Sequence, residues 1–237
     1  MSIEFISICY NFQRRLVWFL SSLLQQSVLP DVTINLAYIK NNGRPRTEEI
    51  ISFYRAQGIK FRTLILEDVE DLAYRGKIRN AQISLSRAEW LFFFDIDQIL
   101  HPDFFKKWVP ALSGDFLFCE TQKLFTPGTR QFLALNAQGR RKYIRRAYQK
   151  ASAWAEPQYY DRPSGGLIMV SRKLLYSKTG GLYSPALDPK DRHFSKHITG
   201  SDPIFRKHFT LKRLSLAPVI HLDHKTCNGD PPEDIQL

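Results

Sequence analysis

The stretch Trp90-Leu91-Phe92-Phe93-Phe94-Asp95-Ile96-Asp97 decides how the rest of the 237-residue chain is read. Trp90 to Phe94 is short and wholly apolar, as expected of a strand buried on both faces of a parallel sheet. It ends abruptly in two carboxylates one residue apart. In an extended chain, alternation puts Asp95 and Asp97 on the same side. Their repulsion makes most sense with a divalent cation between them and a phosphate. Mg²⁺ and Mn²⁺ favour such oxygen ligands and often bind through one or two carboxylates plus substrate phosphates. Asp-X-Asp alone is common by chance, so an ordinary pair of strand-ending carboxylates is the plain alternative. The buried strand in front of it is what gives the pair weight.

Outward from this strand, the first half alternates between β-like and helix-like runs. Ile3 to Cys9 is β-branched and apolar and reads as a strand, with Tyr10 and Asn11 at its end. From Arg14 to Gln26, Leu16, Phe19, Leu20, Leu23 and Leu24 recur at helical spacing. Val32 to Ile39 reads as a second strand and Asn41-Asn42-Gly43 as a turn. Thr47 is the expected N-cap of a helix running to Gln57, with Gly58 as its stop. Lys60 to Leu66 is a third strand, and Arg75 to Arg87 a helix leading into Trp90. This βαβαβαβ order predicts an α/β fold with a parallel sheet, right-handed crossovers and flanking helices. In open sheets of that kind, ligands sit beyond the carboxyl ends of the strands. Asp95 and Asp97 stand at such an end. With no internal repeat or low-complexity linker, the chain reads as one domain over residues 1–237. It has two functional halves, about 1–100 and about 101–237.

Composition narrows the class. Hydrophobic residues make up 43%, and 17 Phe, 10 Tyr and 4 Trp suffice for a sizeable core, which argues against disorder. Met1-Ser2-Ile3-Glu4 lacks the basic flank and apolar run of a signal peptide. Leu16 to Leu24 is interrupted by Ser21 and Ser22 and is too short to span a bilayer. Cys9, Cys119 and Cys227 are odd in number and far apart, which suggests neither a disulfide framework nor a zinc site. Cys9 and Cys119 read as buried small residues. The expectation is a soluble, cytoplasmic protein without a transmembrane segment.

The net charge of +11 is concentrated. Between Thr121 and Ala155 there is no acidic residue, whereas Lys123, Arg130, Arg140, Arg141, Lys142, Arg145, Arg146 and Lys150 all fall there. Tyr143, Tyr148 and Trp154 are interleaved with them, a mixture suited to phosphate contacts and to stacking on bases or sugars. The bland alternative is a solvated basic loop.

Taken in order, these motifs resemble the family-2 glycosyltransferases of the GT-A type. Ile6-Ser7-Ile8-Cys9-Tyr10-Asn11 with Leu23-Leu24-Gln25-Gln26 is similar to the family's first βα unit. Arg75-Gly76-Lys77-Ile78-Arg79-Asn80 and the strand ending Asp95-Ile96-Asp97 resemble its helix with an Arg-Asn pair and its Asp-X-Asp signature. Gly165-Gly166, Gly180-Gly181 and Gly200-Ser201-Asp202-Pro203 resemble its acceptor-side motifs, and His221-Leu222-Asp223-His224 its metal-completing histidine motif.

The resemblance implies a Rossmann-like, mixed, mostly parallel sheet flanked by helices. The first half would bind a nucleotide sugar and the second an acceptor. Tyr10, Asn11, Arg79, Asp95, Asp97, Gly165 and Gly166 would bind the donor. Asp97, Asp95, His221 and His224 would supply metal ligands for Mn²⁺ or Mg²⁺, with His221 preferred over His224. Asp202 would be the base that takes the acceptor proton, which implies inversion. Arg140, Arg141, Arg145 and Arg146 would meet the acceptor.

UDP is the nucleotide most relatives with this motif use. Two departures stand out: Lys40-Asn41-Asn42-Gly43 where an acidic pair usually lies near the base, and Ser201 where Asp202 usually has an acidic neighbour. The implied reaction is metal-dependent transfer of a sugar, a UDP-hexose by preference, to a hydroxyl. A basic acceptor side suits an anionic polymer: acidic polysaccharide, lipid-linked phosphosugar, or DNA with hydroxymethylated bases. Two rivals remain at this stage. A nucleotidyltransferase would show a Gly-rich, Lys-containing loop after the first strand, and Asn11-Phe12-Gln13-Arg14-Arg15 has no glycine. A nucleic-acid-binding protein using 121–155 leaves the carboxylates and histidines unexplained.

Overall fold

The structure is a computed structural model. It describes residues 1–41, 46–113, 116–124, 132, 134–136, 138–140, 142–143, 167–183 and 208–222. Its strands are β1 Ser2–Cys9, β2 Asp31–Ile39, β3 Lys60–Leu66, β4 Trp90–Phe93, β5 Gln98–Ile99, β6 Phe116–Leu124, β7 Ile168–Ser171 and β8 Leu211–Leu222. The helices are α1 Gln13–Leu24, α2 Thr47–Ala56, α3 Arg75–Leu85, α4 Phe104–Trp108 and α5 Arg172–Thr179. Among the described residues the strands form one sheet in the order β3-β2-β1-β4-β7-β6-β8-β5. From β3 to β4 every pairing is parallel. Beyond β4 the sheet is mixed: β7 runs antiparallel to both β4 and β6, β8 is parallel to β6, and β5 is antiparallel to β8. The mixed, mostly parallel α/β sheet implied by the resemblance is therefore present, with its antiparallel pairings on the far side of β4.

Alternation along the strands sorts the core into two faces. On one face Ile3 and Phe5 of β1 join Trp90 and Phe92 of β4, with Leu16, Phe19, Leu20 and Leu23 of α1 packed over them. Phe5 is the hub, its ring centroid 5.4 Å from Phe19, 5.2 Å from Phe92 and 5.4 Å from Phe94, mostly edge-on. On the other face Ile6, Leu91 and Phe93 meet Ile83 of α3, Leu175 of α5 and Tyr183. The helical stripe predicted for α1 is buried except at its end, where Leu24 is exposed. Cys9 is buried, as its residue type suggested.

Helix boundaries shift slightly from expectation. Arg46, not Thr47, is the N-cap of α2, because Glu49 reaches back and its carboxylate accepts the Arg46 backbone N–H at 3.0 Å. Gly58 ends that helix with φ at +92°, a conformation that costs glycine little. Helix α3 stops at Leu85, two residues short of Arg87, since Ser86 is already extended.

A buried polar network locks α3 beneath β1 and β2. The Gln82 amide donates to the carbonyls of Ser7 and Asn35, both at 2.8 Å. The Asn35 amide donates to Glu4 at 2.6 Å and to the Gln82 carbonyl at 3.0 Å. The Ser86 hydroxyl donates to the other Glu4 oxygen at 2.9 Å, and Arg62 lies 3.3 Å from Glu4. Such groups are costly when left half satisfied. Gln82→Leu, which strips both amide donors from buried carbonyls, should destabilise the chain by about 1–3 kcal/mol. Urea unfolding should show this as a lower midpoint with an unchanged slope.

Candidate active site

The strand order reverses between β1 and β4, since β2 and β3 lie to one side of β1 and β4 to the other. A crevice outside the carboxyl ends of strands at such a reversal is where open α/β sheets bind ligands. Three sequence-predicted groups converge there. Tyr10 and Asn11 leave β1, both half-buried, and Asn11 takes the left-handed conformation with φ at 55°, which a short amide side chain tolerates. Asp95, Ile96 and Asp97 leave β4. Arg79 comes from the first turns of α3.

The two carboxylates do not follow simple alternation. Phe94 is the last extended residue: its N–H donates to the Ile6 carbonyl at 3.1 Å, and its carbonyl accepts the Ser7 hydroxyl at 2.7 Å. The chain then turns at Ile96 and Asp97, and the two carboxylates take separate partners. Asp95, 39% exposed, lies 4.0 Å from the Arg79 guanidinium. Asp97, only 10% exposed, faces His221, whose Nε2 is 3.1 Å from its carboxylate. The Ile96 side chain is buried in the core.

The Asp97–His221 contact is a consequence of strand pairing. Antiparallel β5 and β8 set Gln98 opposite His221, and the Leu222 N–H donates to the Asp97 carbonyl at 2.8 Å. Both ends of the contact are thus fixed by backbone. Their chemistry fits a divalent cation, since carboxylate oxygen and imidazole nitrogen both suit Mn²⁺. Neighbouring ligands of an octahedral ion with bonds near 2.1 Å stand about 3 Å apart, close to the separation of this pair. Among the described residues no cluster of three or more His, Cys, Asp or Glu is present. His224 and Asp202 lie outside the described residues, as do Gly165, Gly166, Arg141, Arg145 and Arg146.

Arg79 is 6% exposed and is held on more than one side. Its guanidinium donates to the Tyr183 hydroxyl and lies 4.5 Å from the centre of that ring, besides approaching Asp95. Sequence reasoning missed Tyr183. The available signal was Gly180-Gly181 just before it, a turn whose exit has to lead somewhere.

Arg140 sits elsewhere. Its guanidinium stacks 3.5 Å from the centre of the Trp18 ring on α1, and burial pulls its pKa below the usual arginine value. Phe132, Tyr143, Ile99, Ile220 and Leu222 form a small apolar cluster beside it, with Trp18 against it. Arg140 thus has a packing partner of its own, whatever it meets outside the chain.

Residues 5–173, most of the chain, match the family described as Glycosyl transferase family 2. No curated protein matches the sequence. Among solved structures, S. aureus TarS is similar with 16% identity, covering 94% of this chain and 37% of its own, at a TM-score of 0.62. The Pyrobaculum calidifontis mannosyltransferase PcManGT, solved with GDP-Man and Mn²⁺, shares 14% identity over 95% of this chain and 58% of its own, at 0.56. GalNAc-T7, solved with UDP, GalNAc and Mn²⁺, shares 12% over 98% of this chain and 45% of its own, at 0.60. TarS structures also carry UDP and UDP-GlcNAc. The chain spans less than two thirds of the length of these solved chains, and at such identities the likeness speaks for the fold. No helix among the described residues is long and apolar enough to cross a membrane. The family match over most of the sequence and the GT-A fold of the structural neighbours agree with the sheet found here: the chain belongs to glycosyl transferase family 2.

Proposed function

We propose that the chain transfers a sugar from a nucleoside-diphosphate sugar to a hydroxyl acceptor in a divalent-cation-dependent reaction. The observation that carries this is Asp97 and His221 brought to 3.1 Å at the carboxyl edge of the switch point. Arg79 and Asp95 stand beside them. Asp97 and His221 would hold Mn²⁺ or Mg²⁺, with His224 and Asp95 as further candidates. When bound, the ion supplies positive charge to the diphosphate as the glycosidic bond breaks. Arg79 adds a second, fixed positive charge on the protein side, and Tyr10 and Asn11 border the donor from β1. Charge already in place before the bond breaks needs no rearrangement during the reaction.

Asp202 is the proposed base for the acceptor hydroxyl, giving inversion, and Gly165-Gly166 the proposed wall against the donor sugar. UDP is the proposed nucleotide; Lys40-Asn41-Asn42-Gly43 leaves recognition of the base to amide and backbone groups, which can still pair with a base edge. The arginines of 121–155 suit a polyanionic acceptor: acidic polysaccharide, a lipid-linked phosphosugar, or DNA with hydroxymethylated bases. The chain is proposed to work in the cytoplasm.

Titration of the protein with UDP and Mn²⁺ should show binding that Asp97→Ala and His221→Ala each weaken. The loss should exceed the roughly 10–100-fold typical of removing an outer-shell partner. Sugar release from the donor should stop in chelator and return with Mn²⁺ or Mg²⁺; full activity in chelator would refute the metal reading.

Asp202→Asn keeps the shape of the side chain but cannot take the proton. Turnover should fall by about 10²–10⁴ while donor affinity holds. The product's anomeric proton, read by NMR, should report inversion.

For the acceptor, Arg141, Arg145 and Arg146 replaced together by Ser leave the Arg140–Trp18 stack intact. A polyanionic acceptor should then bind more weakly and lose part of its salt dependence, because fewer counterions are released. Donor hydrolysis should be spared. Unchanged acceptor kinetics would remove the basic segment from acceptor recognition.

A further inference from the structure

Tyr183 belongs to no motif of the sequence, yet it is a residue of the second half of the chain that grips α3 on the donor side. Its side chain is 1% exposed and packs on Phe93 of β4 with ring centroids 4.6 Å apart. Its hydroxyl accepts from the Arg79 guanidinium, and its backbone N–H donates to the Asn80 side chain at 2.7 Å. Two consecutive residues of α3 therefore bind one tyrosine that lies 104 residues from Arg79 in sequence.

The route to Tyr183 is tightly determined. Ser171 caps α5 by accepting the Leu174 N–H at 3.2 Å, and Gly180 and Gly181 then turn the chain with φ of 64° and 86°. A Cβ at Gly181 would come within 2.6 Å of the Tyr176 ring. A side chain there would be strained in φ and would also clash, so this turn needs glycine to deliver Tyr183 to α3.

We propose that Tyr183 is a positioning residue that fixes the Arg79 guanidinium at Asp95, so that donor affinity depends on the segment around Gly180-Gly181. This rests on the proposed function, in which Arg79 meets the donor. A buried guanidinium pays for desolvation unless its donors are satisfied and its plane is fixed. Tyr183 contributes to both, accepting one hydrogen bond from the guanidinium and offering it an aromatic surface. Asp95, 39% exposed, leaves that ion pair bordering solvent, where a diphosphate could approach. A residue serving as core filler would need only its ring. The hydroxyl instead accepts from an arginine that also lies beside the Asp95 carboxylate.

The test is a double-mutant cycle read by calorimetric titration with UDP or GDP in the presence of Mn²⁺. Tyr183→Phe keeps the ring against Phe93 and removes the acceptor; Arg79→Met keeps volume and removes the cation. Thermal melting checks that both variants remain folded. Tyr183→Phe should weaken nucleotide binding about tenfold, as expected of losing one hydrogen bond to a charged group. Arg79→Met should weaken it at least as much, and the double variant should bind no worse than Arg79→Met alone, because Tyr183 acts through Arg79. Additive losses, or Tyr183→Phe binding within twofold of the parent, would overturn the inference while leaving the donor reading intact. A parent protein that binds neither nucleotide with Mn²⁺ would overturn the donor reading, and this inference with it.

Discussion

Strand β4 is hydrogen-bonded along both edges, to β1 in parallel and to β7 antiparallel, and Trp90 to Phe93 are buried throughout. A strand held on four sides has no freedom of register: a slip of one residue would exchange the Phe92 and Phe93 environments and break both faces of the core at once. The ties continue one residue past the strand, where Phe94 bonds to Ile6 and accepts the Ser7 hydroxyl. The main chain is therefore anchored up to the residue before Asp95. Carboxylates carried by so rigid a support sit where the sheet puts them, which is what a site built on fixed charge requires.

The opposite wall is made by β8, and its role is distinct. Strand β5 contributes just two residues, and its pairing with β8 is what turns the exit from β4 back toward the sheet. The Leu222 N–H on the Asp97 carbonyl then fixes the backbone on either side of the Asp97–His221 contact. Without β8, Asp97 would be a carboxylate on a turn; with it, Asp97 stands against an imidazole 3.1 Å away. On the other side of β4, α3 is set in depth by Gln82 and Glu4, and Arg79 occupies the next turn toward the site on the same rod.

Local pattern made the first half legible. Alternation and helical spacing fall within ten or so residues of one another, and β1 to β4 with α1 to α3 follow them closely. The misses were matters of competition between neighbours: Glu49 reaching back to Arg46 moved a cap that Thr47 could have filled, and the end of α1 left Leu24 outside. That the sheet would be mixed came from the family resemblance alone, because periodicity reports which face a residue takes and is silent on the direction of its partner. In the site, Asp95 and Asp97 stood out through residue type and spacing, whereas Arg79 and His221 were pointed to only by the family resemblance. Their division into an Arg79–Asp95 pair and an Asp97–His221 pair did not stand out, since it follows from a turn at Ile96 and from long-range pairing. Tyr183 carried even less signal. Tyrosine after a glycine pair is ordinary in sequence, and its meaning lies in contacts more than a hundred residues away.

Charge connects these pairings to the proposed chemistry. Asp95 and Asp97 with Arg79 leave the described part of the site one negative charge in excess when His221 is neutral. A diphosphate arriving there adds more of the same sign. Arg79 cannot offset that addition alone, because its guanidinium already faces Asp95 and is committed to Tyr183. On the proposed function, positive charge that enters with the donor offsets this excess. The site's own excess of carboxylate, with an imidazole opposite the more buried of the two, is suited to receive that charge as a divalent ion. The proposed metal dependence accords with the electrostatics of Asp95, Asp97 and Arg79 together, and the Asp97–His221 contact is where the proposed ion would bind.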